Sequence, residues 1–271
     1  MAPIGIINIG NSCYMNSILQ IFFNHPIIYK LIMSCNDLEI KKEFIMYHTN
    51  ENCYNPKFFK KKINQIFNNI HQNDAHEFLS FLIEYLDKEL KIINYSNFLD
   101  IINFQQIVCI NNINKKKKSY KTTIDNILIL EQSTSLSESY DKYTTSTYIH
   151  NYKDSENNIC TVKNKISVVK WANLLIIMFM KYMNKTKIKI PIYWTIHNKY
   201  NDILYIVNYV IFGAIIHYGD NNSGHYISLI KKDDYWYEYD DLSPKLKKIG
   251  NLENIIKKEN YVSNIVGLIY S

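Results

Sequence analysis

Of the five cysteines in this chain, Cys13 has the setting that suits a nucleophile. It follows Gly5-Ile6-Ile7-Asn8-Ile9-Gly10-Asn11-Ser12 and precedes Tyr14-Met15-Asn16-Ser17. Asn11 and Ser12 are natural N-caps, and Tyr14, Ile18, Ile21 and Phe22 recur at helical spacing, so Cys13 is expected in the first turn of a helix. There the unpaired N–H groups and the positive end of the helix dipole favour thiolate over thiol. The alternative is a buried cysteine acting as a small hydrophobe. The polar residues on both sides count against it.

A base for such a thiol is offered by His225, which precedes the apolar run Tyr226 to Ile230, while Tyr235 to Tyr239 precedes Asp240. The stretch reads as a hairpin. Pairing Ile230 with Tyr235 across the loop Lys231-Lys232-Asp233-Asp234 sets His225 opposite Asp240, at the roughly 5 Å spacing of antiparallel partners. A carboxylate on one ring nitrogen fixes the tautomer and leaves the other nitrogen to take a thiol proton, as Cys/His/Asp hydrolysis requires. Spacing alone also fits a surface histidine beside an incidental acid. A third segment, Gln72-Asn73-Asp74-Ala75-His76-Glu77-Phe78, opens an amphipathic helix with Ala75, Phe78, Leu79, Leu82 and Leu86 on one face. Asp74 with Glu77 makes a capping-box pattern, a structural role that on its own says little of chemistry.

These residues need a scaffold, and a chain of 271 residues at 47% hydrophobic can bury a full core without disulfides or metal. Helical periodicity fills the first hundred residues, and short apolar runs between polar turns follow Phe104, so the class is α+β. With only 7 glycines and 5 prolines, no linker divides the chain, and a single domain spanning 1–271 is expected. Irregular cysteine spacing, and no basic segment followed by an apolar one near Met1, point to a reducing, cytoplasmic setting. The apolar run Leu174 to Met180 is too short to span a membrane and reads as a buried strand. All the basic residues are lysine, the net charge is +6, and no lysine stripe alternates with aromatics, so nucleic-acid binding is poorly supported. The run Lys115 to Lys118 reads as a solvated hairpin tip. Glu131 to Tyr148, rich in Ser, Thr and Tyr, reads as a mobile insertion.

The opening segment resembles the cysteine box of the ubiquitin-specific proteases, with Gly5, Asn8, Gly10, Asn11, Ser12, Cys13, Tyr14, Asn16 and Ser17 in register. Gln72 to Phe78 is similar to that family's Q-Q-D-A-H-E-F, departing at Asn73. His217-Tyr218-Gly219-Asp220, then Gly224-His225-Tyr226 through Trp236, Tyr239, Asp240 and Asp241, resembles its histidine box. Three matches in the family's order across nearly the whole chain are more specific than any one motif.

The resemblance implies a papain-like fold with a helical thumb (about 1–100) and β fingers and a β palm (about 101–271). It implies a deubiquitinase whose partners are ubiquitin and ubiquitinated proteins, with Cys13 as nucleophile, His225 as base and Asp240 orienting it. By position Asn8 matches the oxyanion donor, and Gln72, Asp74, His217 and Tyr226 match substrate contacts, the last two in loops lining the channel for the terminal glycines. Many members hold the finger tip with zinc on two C-x-x-C pairs. Here only Cys109 and Cys160 stand in place, with Asn112 and Lys163 at the second positions, so neither zinc nor another cofactor is expected. The cysteine box starting so near Met1 suggests no upstream domain, and a monomer is expected. A catalytically silent ubiquitin-binding scaffold, and an enzyme for a related modifier with a Gly-Gly tail, are the alternatives; a nucleic-acid role for the Lys115 cluster is more distant.

Overall fold

Helices occupy the first hundred residues and strands most of the rest in the computed structural model. The structure describes residues 4–35, 39–65, 74–92, 98–180, 187–200, 203–220, 223–251, 255 and 258–271. The helices are α1 (Cys13–Asn24), α2 (Pro26–Ser34), α3 (Glu39–Thr49), α4 (Lys57–Asn64), α5 (Ala75–Ile92) and α6 (Phe98–Ile102). A short parallel pair, β1 (Gly5–Ile6) and β2 (Cys53–Tyr54), lies among them. Helix α1 stops where it does because Pro26 forces His25 to extended geometry (φ −75°, ψ 120°) and then starts α2 at its first position.

Every residue of α1 from Cys13 to Phe23 is buried, because α2, α5 and strands from the later part of the chain all pack on it. Its polar residues are therefore tied down: Ser17 Oγ donates to the Tyr14 carbonyl (3.1 Å) and Gln20 Nε2 to the Ile4 carbonyl (3.1 Å). Phe23 has no exposed surface, and the rings of Phe44, Tyr47, Tyr54 and Phe59 stand 4.5 to 6.0 Å from it. Phe23→Ala is expected to cost about 3–5 kcal/mol, read as a lowered urea midpoint at unchanged m-value. A loss below about 1 kcal/mol would mean that the helices close over the cavity.

Fourteen strands are described. After β1 and β2 come β3 (Phe104–Asn112), β4 (Lys117–Asp125), β5 (Leu128–Leu130), β6 (Thr147–Lys153), β7 (Ile159–Lys170) and β8 (Leu175–Phe179). They continue with β9 (Tyr193–Tyr200), β10 (Ile203–Gly219), β11 (Gly224–Lys232), β12 (Tyr235–Asp240), β13 (Ser243–Gly250) and β14 (Ile265–Tyr270). The palm sheet runs β13-β12-β11-β10-β14-β8-β5, with β9 also paired to β10; the finger sheet runs β4-β3-β7-β6. All these pairs are antiparallel except β5 with β8. Strand β8 is buried throughout, as its apolar run predicts. Ile176 and Met178 face the helices with Ile215 and Ile230, while Leu175, Ile177 and Phe179 face a second core with Trp194, Tyr209 and Tyr270.

Two expectations change. Glu131 to Tyr148 is ordered around α7 (Leu136–Thr144): Ser135 Oγ caps it by accepting from the Glu138 amide (3.1 Å), and Leu136 is fully buried. The β11–β12 hairpin is tighter than the four-residue loop, with Lys232 paired to Tyr235 and Ile230 to Tyr237. Asp233 takes the left-handed conformation (φ 55°) that a two-residue loop requires. A last helix, α8 (Glu259–Val262), precedes β14. No helix among the described residues is long and apolar enough to cross a membrane.

The Lys115 cluster does lie at a hairpin tip, between β3 and β4, where Lys115 Nζ pairs with Asp154 (2.9 Å) and Glu156 (2.8 Å) of the β6–β7 turn. Cys109 pairs with Lys165 across the ladder, so Cys160, five residues from Lys165 on the same strand, faces the other side of the sheet. Asn112 Nδ2 donates to the Cys160 sulfur (3.4 Å). Two thiols on opposite faces do not fit a shared zinc site.

Candidate active site

Cys13 begins α1, and the five residues before it form a loop closed by its own side chains. Gly10 (φ 92°) and Asn11 (φ 43°) take left-handed backbone, which reverses the chain just ahead of the helix. Asn8 Oδ1 accepts from the Gly10 amide (2.9 Å) and from Ser12 Oγ (3.3 Å), and Ser12 Oγ accepts from the Ile9 amide (3.1 Å). Ser12 is the N-cap residue, but its hydroxyl makes no cap bond to the helix. It is spent on the loop and on the Asn16 side chain, whose Nδ2 donates to it at 3.2 Å, so no Ser12 hydroxyl competes for the first-turn N–H groups beside Cys13.

His225 comes to Cys13 from the start of β11, which packs on α1. His225 Nε2 lies 2.7 Å from Asp240 Oδ1, and the Leu242 amide donates to the same oxygen (3.0 Å). A carboxylate only accepts, so Nε2 carries the proton and Nδ1 is left for the thiol. Sequence spacing brought the right two residues together for a register that differs. With Ser228 opposite Tyr239, His225 reaches Asp240 diagonally, which the length of the imidazole allows. The hydrogen bond with Cys13 raises the His225 pKa to about 9, against the opposing effect of burial and with further help from the Asp240 hydrogen bond and charge. The shift favours the imidazolium form of His225, beside the Asp240 carboxylate.

The neighbouring Asp241 does separate work. Its Oδ1 stands 3.9 Å from His225 Nε2, and its Oδ2 accepts from Asn8 Nδ2 (3.0 Å) and Asn16 Nδ2 (2.7 Å). Burial raises its pKa, while those two hydrogen bonds and the His225 charge pull the other way. The Asn8 amide is therefore gripped at both ends: its oxygen by Gly10 and Ser12, one N–H by Asp241. Sequence reasoning placed Asn16 and Asp241 only within the two matched boxes and did not join them, because residues 225 positions apart show no local pattern. Among the described residues, His225, Asp240 and Asp241 form the single group of three potential metal ligands. Their hydrogen bonds already account for them as an imidazole and its carboxylates.

Asp74 caps α5, its Oδ1 accepting from the His76 amide (2.8 Å); Gln72 lies outside the described residues. His217 and Tyr226 are on paired strands β10 and β11 rather than in loops, both 3% exposed, with ring centroids 4.3 Å apart. Gly224 makes room for them, since a Cβ there would lie 2.3 Å from His217 Nε2. Cysteine, histidine and carboxylate thus meet between a helix N-terminus and a palm hairpin.

A model of the family described as ubiquitin carboxyl-terminal hydrolase matches residues 4–262. The chain belongs to that family. It is 22% identical to ubiquitin carboxyl-terminal hydrolase 4 of Arabidopsis thaliana across 96% of this chain and 90% of that relative. To ubiquitin carboxyl-terminal hydrolase 36 of Drosophila virilis it is 30% identical over 36% of this chain and 10% of that much longer relative. Among solved structures, a chain of the SAGA Ubp8/Sgf11/Sus1/Sgf73 DUB module bound to ubiquitin aldehyde superposes with a TM-score of 0.79 at 22% identity. The superposition covers 99% of this chain and 69% of that one. The α+β architecture of a ubiquitin carboxyl-terminal hydrolase, with thumb, palm and fingers, is therefore the architecture of this chain, and its activity is that of a cysteine hydrolase acting on ubiquitin.

Proposed function

We propose that Cys13, His225, Asp240 and Asn8 hydrolyse the isopeptide bond between the ubiquitin C-terminal glycine and a lysine. The observation that carries this is the convergence of Cys13 at a helix N-terminus with His225, itself held 2.7 Å from Asp240. The Cys13 thiolate attacks the terminal carbonyl, and the oxyanion forms beside the Asn8 amide. The intermediate collapses as His225 gives its Nδ1 proton to the departing lysine amine, which leaves a thioester on Cys13. Water then gives a proton to His225 as it attacks the thioester, and thiolate leaves with ubiquitin carboxylate as product. Asp74 and Gln72 at the start of α5, with His217 and Tyr226 in the palm, are the proposed substrate contacts. Ubiquitin and ubiquitinated proteins are the proposed partners of a monomer working in a reducing cytoplasm. The hydrogen-bonded ion pair favours an enzyme over a silent scaffold, whose site would have no need of it.

The His225 pKa of about 9 sets a pH dependence. The raised value means that the stability contributed by protonated His225 is present below its ordinary pKa of 6.5 and is lost as pH rises through about 9. For turnover, kcat/KM on a ubiquitin C-terminal amide is expected to hold through neutrality and fall as pH passes about 9, where the proton for the leaving amine is lost. A fall centred near 6.5, the ordinary value, would remove the ion pair from the account.

A further inference from the structure

Lys60 is the first of three consecutive lysines, with Lys61 and Lys62, on α4. The three lysines do different things. Lys61 is exposed, and Lys62 pairs with Glu39 at 2.9 Å. Phe59 and Ile63 are buried and set the face of α4 that meets the core. Lys60, beside Phe59, is turned toward the loop that precedes Cys13. Its Nζ donates to the Gly10 carbonyl oxygen at 3.1 Å and stands 6.0 Å from the Tyr14 ring centroid.

Gly10 lies three residues before Cys13 and Tyr14 one after, and the ammonium held there feels the charge of Cys13. We propose that Lys60 is a positioning residue for the attacking thiolate, holding the Gly10 carbonyl and placing a fixed positive charge next to Cys13. The placement uses the chain reversal at Gly10 and Asn11, which turns the Gly10 carbonyl outward to where α4 passes. Lys60 is itself partly buried: burial lowers its pKa and the charge on Cys13 opposes that fall. The other charged groups placed around Cys13 are His225 from β11, and Asp240 and Asp241 at the end of β12. Lys60 adds a cation whose charge interacts with that of Cys13. A cation there stabilises the thiolate and so lowers the cost of losing the Cys13 proton.

The inference rests on Cys13 being the nucleophile, and the test separates the two. Alkylation of Cys13 by iodoacetamide is followed against pH by peptide mass spectrometry in wild type, Lys60→Met and Lys60→Arg. Removing the charge makes the Cys13 proton harder to lose, so the acid limb of the Lys60→Met profile is expected to move up by about 0.5 to 1 unit, for a partly exposed charge. On the limb that is about 3- to 10-fold slower alkylation. Lys60→Arg keeps the charge and is expected to keep the limb, even where loss of the Gly10 contact lowers turnover. A folded Lys60→Met whose limb does not move overturns the proposal and leaves Lys60 a loop tie only. If Lys60→Met does not fold, salt decides it in wild type: the limb should climb as salt is raised toward 1 M, and an unmoved limb overturns the proposal. Wild type that alkylates Cys13 no faster than Cys53, whatever the pH, would instead fail the nucleophile reading itself.

Discussion

Cys13→Ala is expected to reduce hydrolysis of a ubiquitin C-terminal amide to the uncatalysed background, a loss of about 10⁴-fold or more, while ubiquitin binding persists. No second thiol can replace it. Cys35 is buried and gives its S–H to the Leu31 carbonyl (3.3 Å), Cys53 lies on β2, and Cys109 and Cys160 are in the finger sheet. Cys13 is 2% exposed, so trimming its side chain to a methyl removes one sulfur from a packed position without reshaping the surface that ubiquitin covers. Folding should survive. Binding measured by titration should change by less than about 1 kcal/mol, as for other small deletions, and lost binding would mean that the substitution disturbs α1 itself.

Asn8→Ala is expected to lower kcat by about 100- to 1000-fold with KM nearly unchanged, the usual cost of one oxyanion donor. The geometry adds a sharper expectation. Asp241 fixes the Asn8 amide through a 3.0 Å hydrogen bond and is itself fixed by Asn16 at 2.7 Å. Asp241→Ala should therefore reproduce most of the Asn8→Ala loss, and the double variant should be little worse than either alone. Additive losses would assign Asp241 to His225 instead, and a full effect on KM would make Asn8 a ground-state contact.

The parts of this site visible in the sequence were those carried by local pattern. Cys13 at a helix start and the pairing of His225 with Asp240 follow from cap residues and alternation, and both are found. The hairpin register was not visible, because Asp233-Asp234 lacks the Asn-Gly signature of a two-residue turn and Lys231 and Lys232 look like loop. Their charged ends lie at the sheet rim, where long side chains reach water from strand positions. Ser135 and Leu136 similarly outweigh the polar composition of the segment around α7, one by capping and the other by burial. Asp241, Asn16 and Lys60 gain their places only through contacts between distant parts of the chain. Asn16 has a helical address and Lys60 a charged neighbourhood, and neither says what the side chain will meet.

Reaction with ubiquitin carrying a C-terminal electrophile tests the central claim most directly, with the adduct located by peptide mass spectrometry. Wild type is expected to form one covalent adduct, on Cys13, and Cys13→Ala none; a folded wild type that stays unlabelled, or carries the adduct on another cysteine, would contradict the account.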